Sequence, residues 1–585
     1  MSSRWLVLAS FLLLFVTLLP AQQWYAVQTD HLVAYSAGDD HAAREAARRG
    51  ETLIATFSQI LHRRQIQFTT PLCILALRDQ KTPAIVRTPV GNYVSVDLTR
   101  AESWGEAARA ITLLMLDENY PRAQPWFDRG IAGYLAGARI NGEQEELGWP
   151  PPGMTPPSPD DWIPLSKVFA INTLPQPTPA FESESWALVR WIVGTGRQAQ
   201  AGAYMNALQA RGATAEQSVS ESFLLSIGDL DREVRESLAK PLMQKLEAPR
   251  IDQHMLPSKK LSPADVEVIH RNLTLFSGSG QELTQMVAFM RENQEDAGVH
   301  RSLAWAFMLR GDQENAIEHI RRALALNDNA ADMHYLYALW VNEGDENAIR
   351  IESAEPRLGA ELKEALRRNP SYAPAWELLG LAQLSAGDTK SALISLQRAT
   401  ALRPRQSRYY LNTAAAEEAS GNLDAAKNLL LYARGGDDPA VTEEASARLG
   451  QLGKEQNQRR QWAEMGITAS KASAEKPGKY DNLDEAIAAE ERKESAAKSS
   501  SAAADTRTVE HLSGTLSTVD CAASPGATLS VLSRGAIWTF HVADRNSILL
   551  IGPDRFDCAW RNVDVSLNYK QSGKLRGDVV SLETH

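Results

Sequence analysis

The sequence contains little of what marks several large protein classes. Only three cysteines occur in 585 residues, so the chain can form at most one internal disulfide. No basic stripe interleaved with aromatic residues is present and the formal net charge is −11, which argues against a nucleic-acid partner because phosphates require a basic surface. Beyond residue 22 no apolar run is long enough to cross a bilayer. The remaining composition, 44% apolar and 23% charged residues, is typical of a soluble globular protein, and the length requires several hydrophobic cores.

Residues 1 to 22 are typical of an export signal. Arg4 gives a positive flank, an apolar run extends from Trp5 to Leu19, and the small residue Ala21 stands near a plausible cleavage point. Leu19 occupies a position where cleavage prefers a small residue, so an uncleaved membrane anchor remains the alternative. The segment predicts export to the periplasm or the extracellular space, with membrane attachment only if it stays uncleaved.

The three cysteines lie in different contexts. Cys73 falls within a predicted buried strand and is expected to be a small core residue. Cys521 and Cys558 lie in the same C-terminal module, each beside a strand pattern. In an oxidising compartment we expect them to form one disulfide, with two separately buried thiols as the alternative.

Residues 23 to 245 are predicted to form an α+β domain, because strand patterns precede paired helices. Strand-like alternation near the start is followed by an amphipathic helix pattern, by two further strand patterns and then by two helix patterns. These patterns cover Trp24 to Tyr35, His41 to His62, Cys73 to Leu77, Tyr93 to Leu98, Ala107 to Leu116 and the helix that begins near Trp126.

The stretch from Glu106 to Tyr134 has a recognisable frame. An apolar helix pattern is followed by the run from Trp126 to Tyr134, which reads Trp-Phe-Asp-Arg-Gly-Ile-Ala-Gly-Tyr. The frame resembles that of gluzincin-type metallopeptidases, in particular the peptidase MA-like domains of exported bacterial proteins. The resemblance implies His-Glu-x-x-His on the first helix and Trp-x-x-Glu-Gly-x-Ala-Glu-Tyr on the second, so that two histidines and a glutamate hold zinc while another glutamate is the general base.

The residues that serve the metal in that frame are absent here. Ala108 and Thr112 stand at the histidine positions, Arg109 at the general base, Arg129 at the ligand glutamate and Gly133 at the second glutamate of the motif. Neither alanine nor arginine can act as a ligand, and guanidinium groups repel a divalent cation. The resemblance therefore implies a pseudopeptidase with no metal and no cofactor. If the stretch keeps a function, Arg109 and Arg129 are candidates to hold a carboxylate or phosphate.

Residues 261 to 453 are predicted to form an α-helical solenoid of about five hairpins. Tyr372 to Pro404 matches the tetratricopeptide (TPR) pattern, in which small residues let two helices approach and large residues fill the seam. Leu261 to Glu295 matches poorly and is expected to cap the array, and extra residues around Glu346 to Glu355 are expected to bulge from a turn. The strongest match rests on Trp376, Leu379, Gly380, Ala392, Leu396, Ala399 and Pro404.

The remaining chain changes composition twice. Residues 454 to 508 are rich in Ala, Glu, Lys and Ser and are predicted to form a flexible or weakly helical linker, although Gln451 to Met465 could extend the last repeat. Residues 509 to 585 show short alternating strands separated by turn residues, which predicts a small all-β barrel or sandwich.

Taken whole, the chain resembles an exported bacterial TPR protein with an N-terminal degenerate peptidase MA-like domain. The resemblance and the repeats predict a non-catalytic scaffold that binds a partner protein or peptide through the groove of the repeat array. The alternative is a hydrolase of altered mechanism, or a protein that binds glycan or peptidoglycan in the old peptidase cleft.

Overall fold

The structure, a computed structural model, describes residues 23–63, 65–78, 84–141, 144–158, 160–171, 177–211, 213–247, 249, 251–276, 280–326, 330–343, 356–464, 509–522, 525–533, 536–545, 548–551 and 556–584. The predicted export signal, the predicted bulge around residues 346 to 355 and most of the predicted linker lie outside these residues. The chain divides into two units, of which one holds the N-terminal domain with the helical repeats and the other holds the C-terminal β-module.

The N-terminal domain mixes strands and helices, but the single strand predicted from Trp24 to Tyr35 is two antiparallel strands, because the chain turns between Gln28 and Leu32. Its strands are β1 (Trp24–Gln28), β2 (Leu32–Ala37), β3 (Leu72–Leu77), β4 (Ile85–Thr88), β5 (Gly91–Asp97), β6 (Arg139–Asn141), β7 (Gln144–Leu147), β8 (Gln244–Glu247) and β9 (Ser258–Lys260). Its helices are α1 (Asp40–Ile60), α2 (Ser103–Asn119), α3 (Pro125–Ala136), α4 (Leu165–Ala170), α5 (Pro179–Gly194), α6 (Gln198–Arg211), α7 (Ala215–Phe223) and α8 (Ile227–Ser237).

Six of these strands form one mixed sheet within the described part of the chain, in the order β4-β5-β3-β2-β1-β9. The pairings of β2 with β3 and of β3 with β5 are parallel, and the others are antiparallel. The strand β9 lies beyond the predicted domain boundary at residue 245, because the edge of β1 pairs with a segment that precedes the first repeat helix. A smaller sheet has the order β6-β7-β8.

The central strand β3 is buried along its whole length, which explains its uninterrupted apolar sequence. Leu72, Ile74 and Ala76 face the core that α1, α2 and α3 cover. Cys73 and Leu75 face the opposite side, in a second core that also contains residues of the first repeat helix. The sheet therefore lies between the helices of its own domain and the beginning of the repeat region.

The repeat region consists of eleven helices in the described residues, and the predicted helical repeat array is confirmed. Antiparallel neighbours pair as hairpins, from α9 with α10 to α17 with α18, and α19 follows. The helices are α9 (Pro263–Leu275), α10 (Gly280–Glu292), α11 (Ala297–Met308), α12 (Gln313–Ala325), α13 (Ala331–Val341), α14 (Pro356–Arg368), α15 (Ala373–Ser385), α16 (Thr389–Leu402), α17 (Ser407–Ala419), α18 (Leu423–Arg434) and α19 (Pro439–Glu464).

Two details of the array have a local physical cause. Gly380 lies where α15 meets α16, and a Cβ atom at this position would stand 2.6 Å from Cγ of Leu396, so only glycine permits this approach. The helix α19 continues past the predicted end of the array at residue 453 to Glu464, so the first part of the predicted linker is helical. Ala392, Leu396 and Ala399 are buried on α16.

The poor TPR match of the first hairpin also has a reason. Leu261 and Ile269 pack against the sheet residues Trp24, Leu75 and Tyr93 rather than against a preceding repeat. The apolar residues of the first hairpin therefore pack on a sheet, so they do not follow the spacing that apolar residues have at an interface between two repeats.

The C-terminal unit is a small barrel, which decides between the two predicted architectures. Its strands are β10 (Val509–Asp520), β11 (Ala527–Ser533), β12 (Ala536–Val542), β13 (Leu549–Ile551), β14 (Val563–Gly573) and β15 (Arg576–Thr584). Their order is β12-β11-β10-β14-β15-β13, and a parallel pairing of β12 with β15 closes the ring. The rings of Trp538, Phe540 and Tyr569 pack against one another, and Cys521 and Cys558 form a disulfide.

No helix among the described residues combines the length and the hydropathy needed to span a bilayer.

Candidate functional site

The positions of the predicted degenerate motif meet where α2, α3 and α5 pack together. Ala108, Arg109 and Thr112 lie on α2, while Arg129 and Gly133 lie on α3. The helix α3 begins at Pro125; proline has no backbone N–H, but N–H groups in the first turn of a helix have no acceptor within the helix. An acidic residue in the same turn complements the helix dipole. The helix α5 packs closely on α3 over much of its length.

The two arginines of the motif converge on one carboxylate, which lies on a different helix and has no fixed spacing from them in the sequence. Arg109 Nη1 donates to Glu182 Oε2 at 3.3 Å, and Arg129 Nη1 lies 3.8 Å from Glu182 Oε1. Glu182 belongs to the first turn of α5, and all three side chains are partly exposed. A carboxylate of the chain itself therefore stands between the two guanidinium groups. Anion binding by Arg109 and Arg129 stays a prediction, and any external anion must share them with Glu182.

The neighbouring motif positions are closed by packing. Thr112 is fully buried, and its Oγ1 has no hydrogen-bond partner among the described residues. A Cβ atom at Gly133 would lie 3.5 Å from Cβ of Trp186, so a methyl group fits there while a glutamate side chain would meet Trp186 and Met154. Trp126 is buried, and its ring packs against those of Phe127, Phe169 and Tyr204.

These residues do not fit the zinc ion of the resembling peptidases. The motif positions offer no imidazole and no carboxylate, and the nearest carboxylate, Glu182, is already paired with two guanidinium groups. Within the described ranges, no three His, Cys, Asp or Glu side chains converge closely enough to hold a metal ion.

Gly130 determines how closely α3 and α5 approach. A Cβ atom at this position would lie 2.4 Å from the backbone oxygen of Ser185 and 2.5 Å from Cγ2 of Val189. Backbone cannot move aside as a flexible side chain can, so glycine is required for this contact. Ser185 lies in the middle of α5, is fully buried, and donates its hydroxyl to the oxygen of Phe181 at 2.6 Å.

Glu184 is a second carboxylate on α5, and it points into the protein. One of its oxygens accepts from the backbone N–H of Ile163, and Oε2 is buried with no partner among the described residues. Burial raises the pKa of this carboxyl to about 7, and the neighbouring Asp231 adds to the shift. Because Glu184 is fully buried, a substrate in solvent cannot reach it.

The N-terminal domain and the repeat array are joined by an ion pair that local sequence patterns do not reveal. Arg405, in the segment between α16 and α17, forms hydrogen bonds of 2.7 and 2.8 Å to the carboxylate of Asp128 on α3. It also donates to the backbone oxygens of Tyr120 and Pro121. The only available signal was two arginines that flank the predicted breaker Pro404.

Comparisons with known proteins found partial likenesses. No protein-family model and no curated protein matches the sequence. The crystal structure of a MamA protein aligns at 19% identity over 29% of this chain and 89% of that chain, with a TM-score of 0.25. Pseudomonas aeruginosa pilF aligns at 19% identity over 36% of this chain and 93% of its own, with a TM-score of 0.28. A thermophilic TPR protein from Thermus thermophilus aligns at 20% identity over 32% of this chain and 98% of its own, with a TM-score of 0.26. Alignments with such low TM-scores say nothing about function. The repeat fold is evident from the helical hairpins themselves.

Proposed function

We propose that this chain is an exported, non-catalytic scaffold whose repeat array binds a partner protein, and whose N-terminal domain is a pseudopeptidase. The observation that carries the proposal is the position of Glu182 between Arg109 and Arg129. Where the resembling peptidases hold a metal and a general base, this chain has two arginines that share the carboxylate of Glu182. The region that supports binding is the array, since stacked hairpins present an extended concave surface.

The arrangement of the helices supports a concave side formed by the first helix of each hairpin. Contacts link α9 with α11, α11 with α13, and α15 with α17. In a curved stack the elements on the inner side approach one another most closely. Residues of α9 pack on the sheet, so a partner is expected on the array beyond its first hairpin.

The proposal is tested by incubating the purified full-length chain with casein and with a peptide library, with and without added zinc and with a chelator. We expect no cleavage and no zinc bound after dialysis. Cleavage that the chelator abolishes would overturn the pseudopeptidase assignment. The full-length chain is the appropriate bait for partner capture, because residues 261–453 alone would expose the face of α9 that packs on the sheet.

The alternative, hydrolysis or glycan binding in the old cleft, requires an accessible group beside Arg109 and Arg129. Thr112, Trp126 and Glu184 are buried, and the partly exposed carboxylate beside the two arginines, Glu182, is already paired with both of them. Its test compares the thermal unfolding midpoint of the wild type with and without peptidoglycan fragments. A rise in the midpoint that is absent in Arg109→Gln would favour the alternative.

A further inference from the structure

A cavity of about 820 Å³ lies where the N-terminal domain meets the later repeats. The ends of α2 and α3 form one wall, and the segments before α17 and α19 form the other. The lining is mainly polar and contains five arginines and four aspartates. The lining residues are Arg87, Leu113, Asp117, Arg122, Ala123, Pro125, Asp128, Arg129, Arg403, Arg405, Gln406, Ser407, Asp437 and Asp438.

Every aspartate of this lining already has an arginine partner. These pairs neutralise three of the lining arginines and one arginine that lies outside the lining. The pairs are Asp117 with Arg87 at 2.7 Å, Asp128 with Arg405 at 2.7 Å, Asp437 with Arg122, and Asp438 with Arg408 at 3.8 Å.

Two lining arginines remain without a carboxylate of their own. Arg403 forms no ion pair among the described residues, and its buried Nε has no hydrogen-bond acceptor there. Burial raises the pKa of Glu118, and the positive charge of Arg403 acts to lower it. That carboxylate accepts a hydrogen bond from the backbone N–H of Thr69 and not from Arg403. Arg129 shares Glu182 with Arg109 at 3.8 Å. Among the lining residues arginines therefore outnumber aspartates by one, and neither Arg403 nor Arg129 has a carboxylate to itself.

Helix N-termini add to this charge. The helices α3, α17 and α19 all begin at the cavity, and the N-terminal end of a helix presents free N–H groups and a partial positive charge. Asp128 and Asp438 lie at two of these ends and complement their charge. The third, at α17, has Gln406 as its N-cap residue, and no side-chain capping bond is formed.

We propose that this cavity binds a carboxylate of a peptide segment from the partner protein, with the guanidinium of Arg403 as its main contact and Arg129 and the α17 N-terminus as supports. Guanidinium groups bind carboxylates in a planar, two-point geometry, and helix N-termini favour anions. The inference rests on the proposed scaffold function and names the chemistry that the partner presents. It differs from a groove site, because half of the cavity belongs to the N-terminal domain.

The test measures binding of three pools of hexapeptides, labelled with an uncharged fluorophore, to the full-length chain by fluorescence anisotropy. The first pool is neutral with a free C-terminal carboxylate, the second is amidated with one internal glutamate, and the third is amidated and neutral. We expect binding of the first or the second pool, which identifies the source of the carboxylate, and no binding of the third. Arg403→Gln should weaken binding at least about tenfold, and Arg403→Lys should weaken it less.

The matched control is Arg398→Gln, which removes an exposed arginine on α16 that does not line the cavity. It should leave binding unchanged. Equal effects of Arg398→Gln and Arg403→Gln, equal binding of all three pools, or competition by inorganic phosphate with no peptide binding would each overturn the proposal. A partner captured by the wild type and equally by Arg403→Gln would also overturn it while leaving the scaffold function intact.

Discussion

The guanidinium of Arg405 binds the carboxylate of Asp128 through hydrogen bonds of 2.7 and 2.8 Å, although 277 residues separate them in sequence. Burial raises the pKa of Asp128, and Arg405 acts against that shift. The same guanidinium donates to the backbone oxygens of Tyr120 and Pro121, directly after α2. One side chain of the repeat array thus satisfies several acceptors of the N-terminal domain.

Replacing Arg405 should destabilise the chain strongly. Arg405→Gln leaves the largely buried carboxylate of Asp128 without its hydrogen-bonded cation, which costs about 2–4 kcal/mol of unfolding free energy at neutral pH. Urea unfolding measures the loss. The control is Arg408→Gln, because Arg408 pairs with half-exposed carboxylates and such pairs contribute less than about 1 kcal/mol. Equal losses in the two variants would show that the Arg405 contact has no special role.

Two glycines of α3 should respond oppositely to the same substitution. Gly130→Ala places a methyl group against the backbone of α5, so we expect a loss of about 2–3 kcal/mol in unfolding free energy. Gly133→Ala meets only ordinary contacts and should be neutral or stabilise by up to about 1 kcal/mol, through helix propensity. Thermal midpoints of both variants measure this difference. A well-tolerated Gly130→Ala would contradict the tight contact of α3 with α5.

The stability of the N-terminal domain should depend on the protonation of Glu184. A carboxyl whose folded pKa is raised to about 7 favours folding below its unfolded value of about 4.5, and this contribution is lost as the pH rises through 7. Glu184→Gln should therefore gain about 1–2 kcal/mol relative to the wild type when the pH rises from 5 to 8. Urea midpoints at both pH values measure the gain. A difference between variant and wild type that does not change with pH would contradict the raised pKa.

A buried histidine pair should give the repeat array the opposite pH dependence. Nδ1 of His300 lies 2.8 Å from Nδ1 of His319, and burial together with the neighbouring His300 lowers the pKa of His319 to about 4. Between pH 6.5 and 4 the unfolded chain gains a proton at this residue that the folded chain does not, so stability falls as the pH falls.

The variant that tests the histidine pair is His319→Gln. Between pH 7 and pH 5 the wild type should lose about 1–2 kcal/mol more unfolding free energy than the variant. The pH series of urea midpoints, read from a signal of the repeat helices, measures the difference. Parallel pH profiles of the two chains would contradict the lowered pKa of His319.

Much of the fold could be predicted from local pattern. The run from Leu72 to Leu77 has apolar residues on both faces and became a fully buried strand, and the small and large residues around Gly380 and Leu396 became a helical hairpin. The alternating segments after residue 509 became a barrel, but its closure by β12 and β15 depends on a pairing of distant strands that periodicity does not encode.

The candidate site could be predicted only in part. The motif positions Arg109 and Arg129 were identified from their spacing, but their common partner Glu182 lies on another helix and carries no spacing signal. The same holds for Arg405 with Asp128 and for the cavity around Arg403. These contacts arise where separate elements meet, and the residues concerned look like ordinary surface charges in the sequence.

The most direct test of the scaffold account is the intact mass of a partner captured by the full-length chain from the envelope fraction of the native host. The account predicts a partner of full length, retained through repeated washing and lost with Trp376→Ala, which removes a side chain packed between repeats. A partner recovered only as shortened fragments, and at full length when a metal chelator is present, would contradict it.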